Sequence, residues 1–253
     1  MRVLVCIKRV PETGARITLR PDARALDTSL LGFTISPHEE CAVEEALRLV
    51  EAHGGSTTVL TLGPDAAVEQ LQNAMAMGIE SAILLETDGD EWSAEATASS
   101  IVDAVRAQGE PFDLMLFGNE AADSGDYQVG VRVAHELGLP CVTGIKGIEV
   151  ADGRLTARRE AGGGWEIFEV ALPTVVTVKE GINLPRYPSL PGRLRAKKTQ
   201  IERLTPEPRG SGLELIRLVV PVEDETEVEV LGTGADAAPR VVTVLRELGL
   251  VAS

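Results

Sequence analysis

Leu114-Met115-Leu116-Phe117-Gly118-Asn119-Glu120-Ala121-Ala122-Asp123-Ser124-Gly125-Asp126-Tyr127-Gln128-Val129-Gly130 passes from a short apolar block, through a glycine- and acid-rich loop, into an amphipathic pattern that ends at Gly138. An apolar block without polar alternation is what a strand covered on both faces requires, and glycine just past an amphipathic run is a helix stop. The stretch predicts one strand-loop-helix unit. Working outward, further apolar blocks at residues 3–7, 57–62 and 82–85 alternate with helical patterns at 66–77, 93–105 and 127–137. Between the first two blocks, Ser36-Pro37-His38-Glu39 reads as a helix start, with serine at the cap, proline at the first position and glutamate three residues on. Ala42, Val43, Ala46, Leu47 and Val50 share one face of that helix opposite Glu40, Glu44, Glu45 and Arg48, and His53-Gly54-Gly55 ends it. Alternating strands and helices predict a parallel sheet with crossover helices.

After Pro140 the pattern changes. Residues 145–150, 155–159 and 165–171 read as antiparallel strands joined by turns at Asp152-Gly153 and Gly162-Gly163-Gly164. Residues 181–212 carry little periodicity, and the tail ends in an amphipathic helix at about 239–248. The expected architecture is α/β: an open, mostly parallel Rossmann-like sheet with an antiparallel extension and a long C-terminal arm ending in a helix. Three units are expected: 1–185 as the α/β core with its antiparallel extension, 186–203 as a separate basic segment, and 204–253 as a C-terminal arm with its helix.

Composition narrows the function. The 253 residues are 44% hydrophobic and carry a formal net charge of -15, which argues against a nucleic-acid partner. Aromatic residues are only 3% of the chain, too few for base-stacking platforms. No run approaches the roughly 18 apolar residues of a membrane span. Cys6, Cys41 and Cys141 are odd in number and unpatterned, and the chain opens directly into a strand, so the expected location is cytoplasmic. His38, His53 and His135 have no cysteine partners at ligand spacing, so no metal site is expected.

Ligands of open α/β sheets sit beyond the carboxyl ends of the strands, where the loop from Gly118 lies. Free N–H groups at the start of the helix after it suit a phosphate, although the loop is neither a Walker sequence nor G-x-G-x-x-G. By spacing alone the favoured reading is an ordinary strand-to-helix connection with acidic caps. Lys8 and Arg9, Ser36, and Leu62-Gly63-Pro64 fall at the same edge, either lining one pocket or, for the two cations, solvated. His38 reads as a cap-region residue or one facing a ligand. The cysteines read as small core residues, and Glu44-Glu45 as a solvated pair.

One region opposes the global charge. Between Arg186 and Arg203 lie Arg193, Arg195, Lys197 and Lys198, against the single acid Glu202. Pro185-Arg186-Tyr187-Pro188-Ser189-Leu190-Pro191 presents Leu190 beside them. An apolar tip rimmed by cations suits an acidic protein partner, while a solvated loop is the alternative.

Taken in order, Val3-Leu4-Val5-Cys6-Ile7-Lys8-Arg9-Val10, Ser36 to Ala46, Ala74-Met75-Ala76-Met77-Gly78, Gly118 to Gly130, Gly162-Gly163-Gly164-Trp165-Glu166, Leu172 to Thr177, Asn183 to Pro191 and Ala196-Lys197-Lys198 resemble the β (small) subunits of electron transfer flavoproteins over nearly the whole chain. The resemblance implies a heterodimer with a larger α subunit that carries redox-active FAD, while this subunit holds AMP structurally. It implies electrons arriving from acyl-CoA and related dehydrogenases and leaving to a membrane quinone oxidoreductase, with no bond-making catalysis and so no catalytic residues. By position, the AMP site would comprise Cys6, Ser36, Pro37, His38, Glu39, Leu62, Asp123, Ser124, Gly125, Asp126, Tyr127, Gln128, Val129, Gly130, Val131, Arg132, Val133 and Ala134. Leu190 would be the tip of the dehydrogenase-recognition loop, with Arg193, Arg195, Lys197 and Lys198 around it. Ser36 stands where the family often has Asn, Asn119-Glu120 where it often has Lys-Gln, and His38 where an aromatic often lies near the flavin. Two other readings stay open: an electron-bifurcating relative with a second FAD in place of AMP, and a free regulatory module resembling universal stress proteins.

Overall fold

The computed structural model describes residues 1–12, 14, 16–207, 215–221 and 228–251. In chain order the elements are β1 (Arg2–Cys6), the short ribbon β2 (Val10–Pro11) and β3 (Phe33–Thr34), α1 (Pro37–His53), β4 (Ser56–Gly63), α2 (Val68–Met77), β5 (Ser81–Glu86), α3 (Ala94–Ala107), β6 (Leu114–Gly118) and α4 (Val129–Leu137). There follow β7 (Cys141–Ile145), β8 (Gly147–Ala151), β9 (Arg154–Ala161), β10 (Gly164–Ala171), β11 (Thr174–Val178), α5 (Leu190–Ala196), β12 (Glu202–Leu204) and α6 (Ala238–Glu247).

Seven strands form one sheet in the order β12-β5-β4-β1-β6-β11-β7, and every pairing in it is parallel. The expected α/β sheet is therefore present. Alternation along β1 divides the core: Val3, Val5 and Ile7 pack with Ala42, Val43, Ala46 and Leu47 of α1 and Leu71 and Met75 of α2. Leu4 and Cys6 pack on the other face with Ile101 and Val102 of α3 and Val133 and Ala134 of α4. After β7 the chain leaves the sheet, builds the antiparallel β10-β9-β8 layer, and returns as β11 between β6 and β7.

Several boundaries and elements differ from the sequence reading. The helix expected from 127 begins at Val129, because Asp126 Oδ1 accepts the Gln128 N–H at 3.1 Å and holds those residues in a turn. The strand expected at 145–150 is two: β7 joins the parallel sheet and β8 starts only at Gly147. β11 is buried along its whole length. Within 181–212, where the sequence carries little periodicity, the chain forms α5 and β12, while 208–214 lie outside the described residues. Leu190 is accordingly the first residue of a helix, not a loop tip. Ser189 caps that helix, its Oγ accepting the Gly192 N–H at 3.1 Å.

The described parts of the C-terminal arm touch the body at Leu218, whose N–H donates to Ala23 O at 2.7 Å. The terminal helix is present as α6, and none of its side chains is buried. Among the described residues no helix is long and apolar enough to cross a membrane.

Candidate functional site

The chain runs from β1 to β4 and β5 on one side, then crosses back to β6 on the other, so β1 and β6 flank the switch point of the sheet. In an open α/β sheet the ligand crevice lies beyond such carboxyl ends. Glu39, in the first turn of α1, bridges it: Oε1 accepts the Lys8 N–H at 2.8 Å and Oε2 accepts the Ser36 N–H at 2.9 Å. Ser36 Oγ accepts the Glu39 N–H in return at 3.2 Å, completing the capping box the sequence predicts. Burial raises the Glu39 carboxyl to about 8 despite these donors. A Cβ on Gly118 would stand 2.8 Å from Glu39 Cγ, so only glycine lets β6 end against this carboxyl. Cys6, beneath it, is buried; burial and then Glu39 push its thiol far above the ordinary range, which leaves it inert.

Lys8 reaches across the crevice mouth to Asp123 Oδ2 at 2.8 Å and Glu91 Oε1 at 2.5 Å. Burial alone would lower its ammonium, but the two carboxylates outweigh it and hold it above its usual value. His38 ties three elements together. Its Nδ1 accepts the Glu180 N–H at 2.7 Å, so the neutral ring carries its proton on Nε2, which lies 3.2 Å from Glu120 Oε1. With both nitrogens engaged, the ring has only its face to offer a ligand.

Asp123, Ser124, Gly125 and Gln128 are exposed, Asp126 is half-buried, and Tyr127 is 56% exposed. Gly125 sits at φ +62 with open space where a Cβ would lie. The Gln128 side chain makes no cap bond to α4; Asp126 takes the Gln128 N–H, and the Val129, Gly130 and Val131 N–H groups carry no capping side chain among the described residues. Gly130 is buried for a different reason: a Cβ there would lie 3.1 Å from both Phe117 Cγ and Thr177 Cγ2. Val129 is half-buried and Val131 exposed, and the Arg132 guanidinium donates to Gln128 Oε1 at 2.9 and 3.1 Å. Val133 and Ala134 lie a turn deeper, in the core. Pro37, beside Ser36, is exposed, and Leu62 lies one residue before the end of β4.

The second candidate surface is α5. It packs on α2 so closely that a Cβ on Gly192 would be 2.2 Å from Ala76 O, and Arg195 Nη2 donates to Met75 O at 3.0 Å. Leu190 and Leu194 are 72% and 56% exposed one turn apart, and Tyr187 is 96% exposed beside them. Arg193, Lys197 and Lys198 surround this patch with no side-chain partner among the described residues. Other cations of the basic stretch are spent internally, Arg203 on Asp65 at 2.7 Å and Glu86 at 3.0 Å, and Arg186 on Glu44 and Glu51.

That last contact corrects the reading of Glu44-Glu45 as a solvated pair. Both are buried, because residues 183–186 lie across this face of α1. Burial would raise Glu44, but Arg186 and Arg48 reverse the sign and hold it below the usual carboxylate range. Glu45 is raised by burial, with the Asn183 amide donating to it at 2.8 Å.

A family model described as electron transfer flavoprotein domain matches residues 26–208. The chain is 34% identical to the electron transfer flavoprotein subunit beta of Bacillus subtilis (strain 168), across 97% of this chain and 98% of the relative. It is 36% identical to that of Syntrophomonas wolfei, across 90% and 92%. The mitochondrial electron transfer flavoprotein subunit beta of Oryza sativa subsp. indica is 34% identical across 82% and 83%. The chain belongs to the electron transfer flavoprotein β-subunit family.

For this family member, the sequence reading missed three residues that shape the two surfaces. Glu91 supplies half of the Lys8 latch, but from an acidic stretch with no motif around it. Gly192 seats α5, and the available signal was Ser189 three residues before a glycine, a cap pattern inside a proline-rich segment. Arg186 was counted as one more surface cation, and nothing in its sequence neighbourhood marks the carboxylates across from it.

Proposed function

We propose that this chain is the β subunit of a heterodimeric electron transfer flavoprotein. In that reading it holds AMP structurally at the β1–β6 crevice, completes the FAD site of a larger α subunit and docks acyl-CoA and related dehydrogenases through α5. Electrons then pass to a membrane quinone oxidoreductase. The observation that carries the reading is the start of α4 at the switch point: its first-turn N–H groups at Val129, Gly130 and Val131 carry no capping side chain among the described residues, and the left-handed turn at Gly125 leads the chain into them. A nucleotide monophosphate fits that donor set. Lys8 supports the fit by neutralising Asp123 in an otherwise acidic mouth.

Bound flavin would supply the electron-carrying chemistry. The residues of this chain bind, orient and exclude water: Glu39 locks the two crevice walls together, and His38 fixes the segment at Glu180 to the start of α1. No nucleophile or acid-base pair is needed, and the chain works as a carrier subunit in the cytoplasm. α6, amphipathic and without a buried side chain, is the arm that packs on the α subunit.

Co-purification with the α subunit, acid extraction and chromatography of the nucleotides tests the reading. One AMP and one FAD per heterodimer are expected, with little flavin retained by this chain alone. Two flavins and no AMP would replace it with the bifurcating arrangement. Tight self-dimerisation without affinity for a flavoprotein subunit would replace it with a free regulatory module.

A further inference from the structure

We infer that Arg186 is the positioning residue of the docking surface: its guanidinium fastens the segment that precedes α5 to the flank of α1 and thereby fixes where Leu190 stands. This rests on the docking role proposed for Leu190 and extends it to a residue turned toward the protein's own body. Arg186 Nε and Nη2 donate to the two oxygens of Glu44 at 2.9 and 3.2 Å, and Nη1 and Nη2 to those of Glu51 at 2.6 and 3.1 Å. Its backbone N–H also donates to Glu44 Oε2, at 3.1 Å. Three residues earlier, the Asn183 amide donates to Cys41 O at 2.9 Å and to Glu45 Oε2 at 2.8 Å. The segment is zipped onto α1 from Cys41 to Glu51.

The geometry is that of a clamp. Glu44 and Glu51 lie two turns apart on one face of α1, a span that the planar fork of arginine bridges with paired bonds and an ammonium does not. The Glu44 side chain is 4% exposed, so its end of the pair is shielded from competing water, while the guanidinium and Glu51 reach the surface. With two carboxylates on one guanidinium, Arg186 contributes nothing to the positive field of Arg193, Lys197 and Lys198. Only Tyr187, Pro188 and Ser189 separate it from Leu190; Pro188 fixes one backbone angle and Ser189 caps α5. Leu190 is thus held from both sides, by Arg186 on α1 and by Gly192 and Arg195 on α2.

The test uses the reconstituted heterodimer with FAD, reduced by a dehydrogenase in stopped flow across dehydrogenase concentrations, together with hydrogen exchange over residues 183–197. Because Arg186→Met alone would leave the buried Glu44 with Arg48 as its one charged partner among the described residues, the principal variant is Arg186→Met with Glu44→Gln; Arg186→Lys and Leu190→Ala accompany it. The double variant should raise the half-saturating dehydrogenase concentration by about tenfold, as loss of a docking anchor does, with flavin content and limiting rate retained. Amides of α5 should exchange faster, and Arg186→Lys should restore part of both. Unchanged half-saturation and exchange beside an impaired Leu190→Ala would overturn the clamp, as would loss of flavin and limiting rate together. If Leu190→Ala docks like wild type, the docking role fails on its own, and exchange alone then judges the clamp: faster exchange in the double variant upholds it, and unchanged exchange overturns it.

Discussion

At the β1–β6 crevice an uncapped helix start and a positive-φ glycine stand among exposed acidic and polar side chains, and the side chains that fix the walls, Glu39 and Ser36, are hidden beneath them. At α5 the arrangement is inverted: Tyr187, Leu190, Leu194 and three cations face outward, while the main chain is pressed against α2. The difference shows in how each surface is held. The crevice is fixed by a buried carboxyl that accepts N–H groups, and the α5 surface by a buried carboxylate, Glu44, that pairs with guanidinium. Main-chain recognition suits a ligand that is always the same, and side-chain recognition suits partners that come and go.

The largest effect should come from unseating α5. A Cβ on Gly192 would lie 2.2 Å from a backbone carbonyl, which has nowhere to yield, so Gly192→Val should lift α5 from α2. Docking should weaken on the order of a hundredfold, as hot-spot losses do, while nucleotide content stays intact. Equal loss of nucleotide, measured by acid extraction, would show that the two regions are not separate.

The second test exploits opposite responses to pH. Glu39 is raised from 4.5 to about 8, so the folded state holds its proton more tightly than the unfolded chain. Its contribution is complete below about pH 4.5 and is lost as pH rises to about 8, a change whose ceiling is several kcal/mol. Glu44 is lowered, so its contribution is present above the ordinary carboxylate pKa and disappears in acid, as pH falls through its folded value. Urea unfolding from about pH 2 to about pH 8 should therefore find Glu39→Gln gaining on wild type as pH rises through the upper part of that range, and Glu44→Gln gaining as pH falls below about 4.5. The same sign for both variants would erase the electrostatic contrast between the regions.

Within the crevice, Gly125 and Gly130 separate conformation from space. At Gly125 only the left-handed backbone restricts the side chain, so Gly125→Val should cost about 1–3 kcal/mol and shed most of the AMP. Gly125→Asn should keep it, because asparagine visits that conformation. Nucleotide content unchanged in the valine variant would place AMP elsewhere.

How much of this was legible in the sequence follows from the same contrast. The parallel core was readable because buried strands are continuous apolar runs and the α1 start carries a complete capping box. β11 was harder to place, since nothing local says that residues 174–178 return between β6 and β7 after three antiparallel strands. β12 is only three residues long, and its pairing with β5 is decided by tertiary contact. The loop after β6 stood out because it joins a strand to a helix. Glu44, Glu45 and Arg186 were misread because helical periodicity marks a polar face but not what covers it; the cover comes from residues 183–186, more than a hundred positions away.

The smallest effects should lie on the α5 surface and should divide by kinetic step. Leu190, 72% exposed in the free chain, gains its contribution only on contact. Leu190→Ala should raise the dissociation rate about tenfold, within the roughly 1–3 kcal/mol that burying a leucine is worth, and leave association nearly unchanged. Arg193, Lys197 and Lys198 act before contact, through a field that salt screens within about 10 Å at 0.1 M. Replacing these three with glutamine should slow association a few-fold at low salt, an effect that fades as ionic strength rises, with dissociation little altered. Arg195 belongs in neither group, because its guanidinium is bound to Met75 O; Arg195→Gln should loosen α5 and affect dissociation as Leu190→Ala does. Stopped-flow reduction across ionic strength separates the dissociation effects of Leu190 and Arg195 from the association effect of Arg193, Lys197 and Lys198, and hydrogen exchange over α5 separates Arg195 from Leu190. A salt dependence that survives loss of Arg193, Lys197 and Lys198 but vanishes with Arg195 would mean that steering comes from the α2 side, and the division between anchor and field drawn here would have to be redrawn.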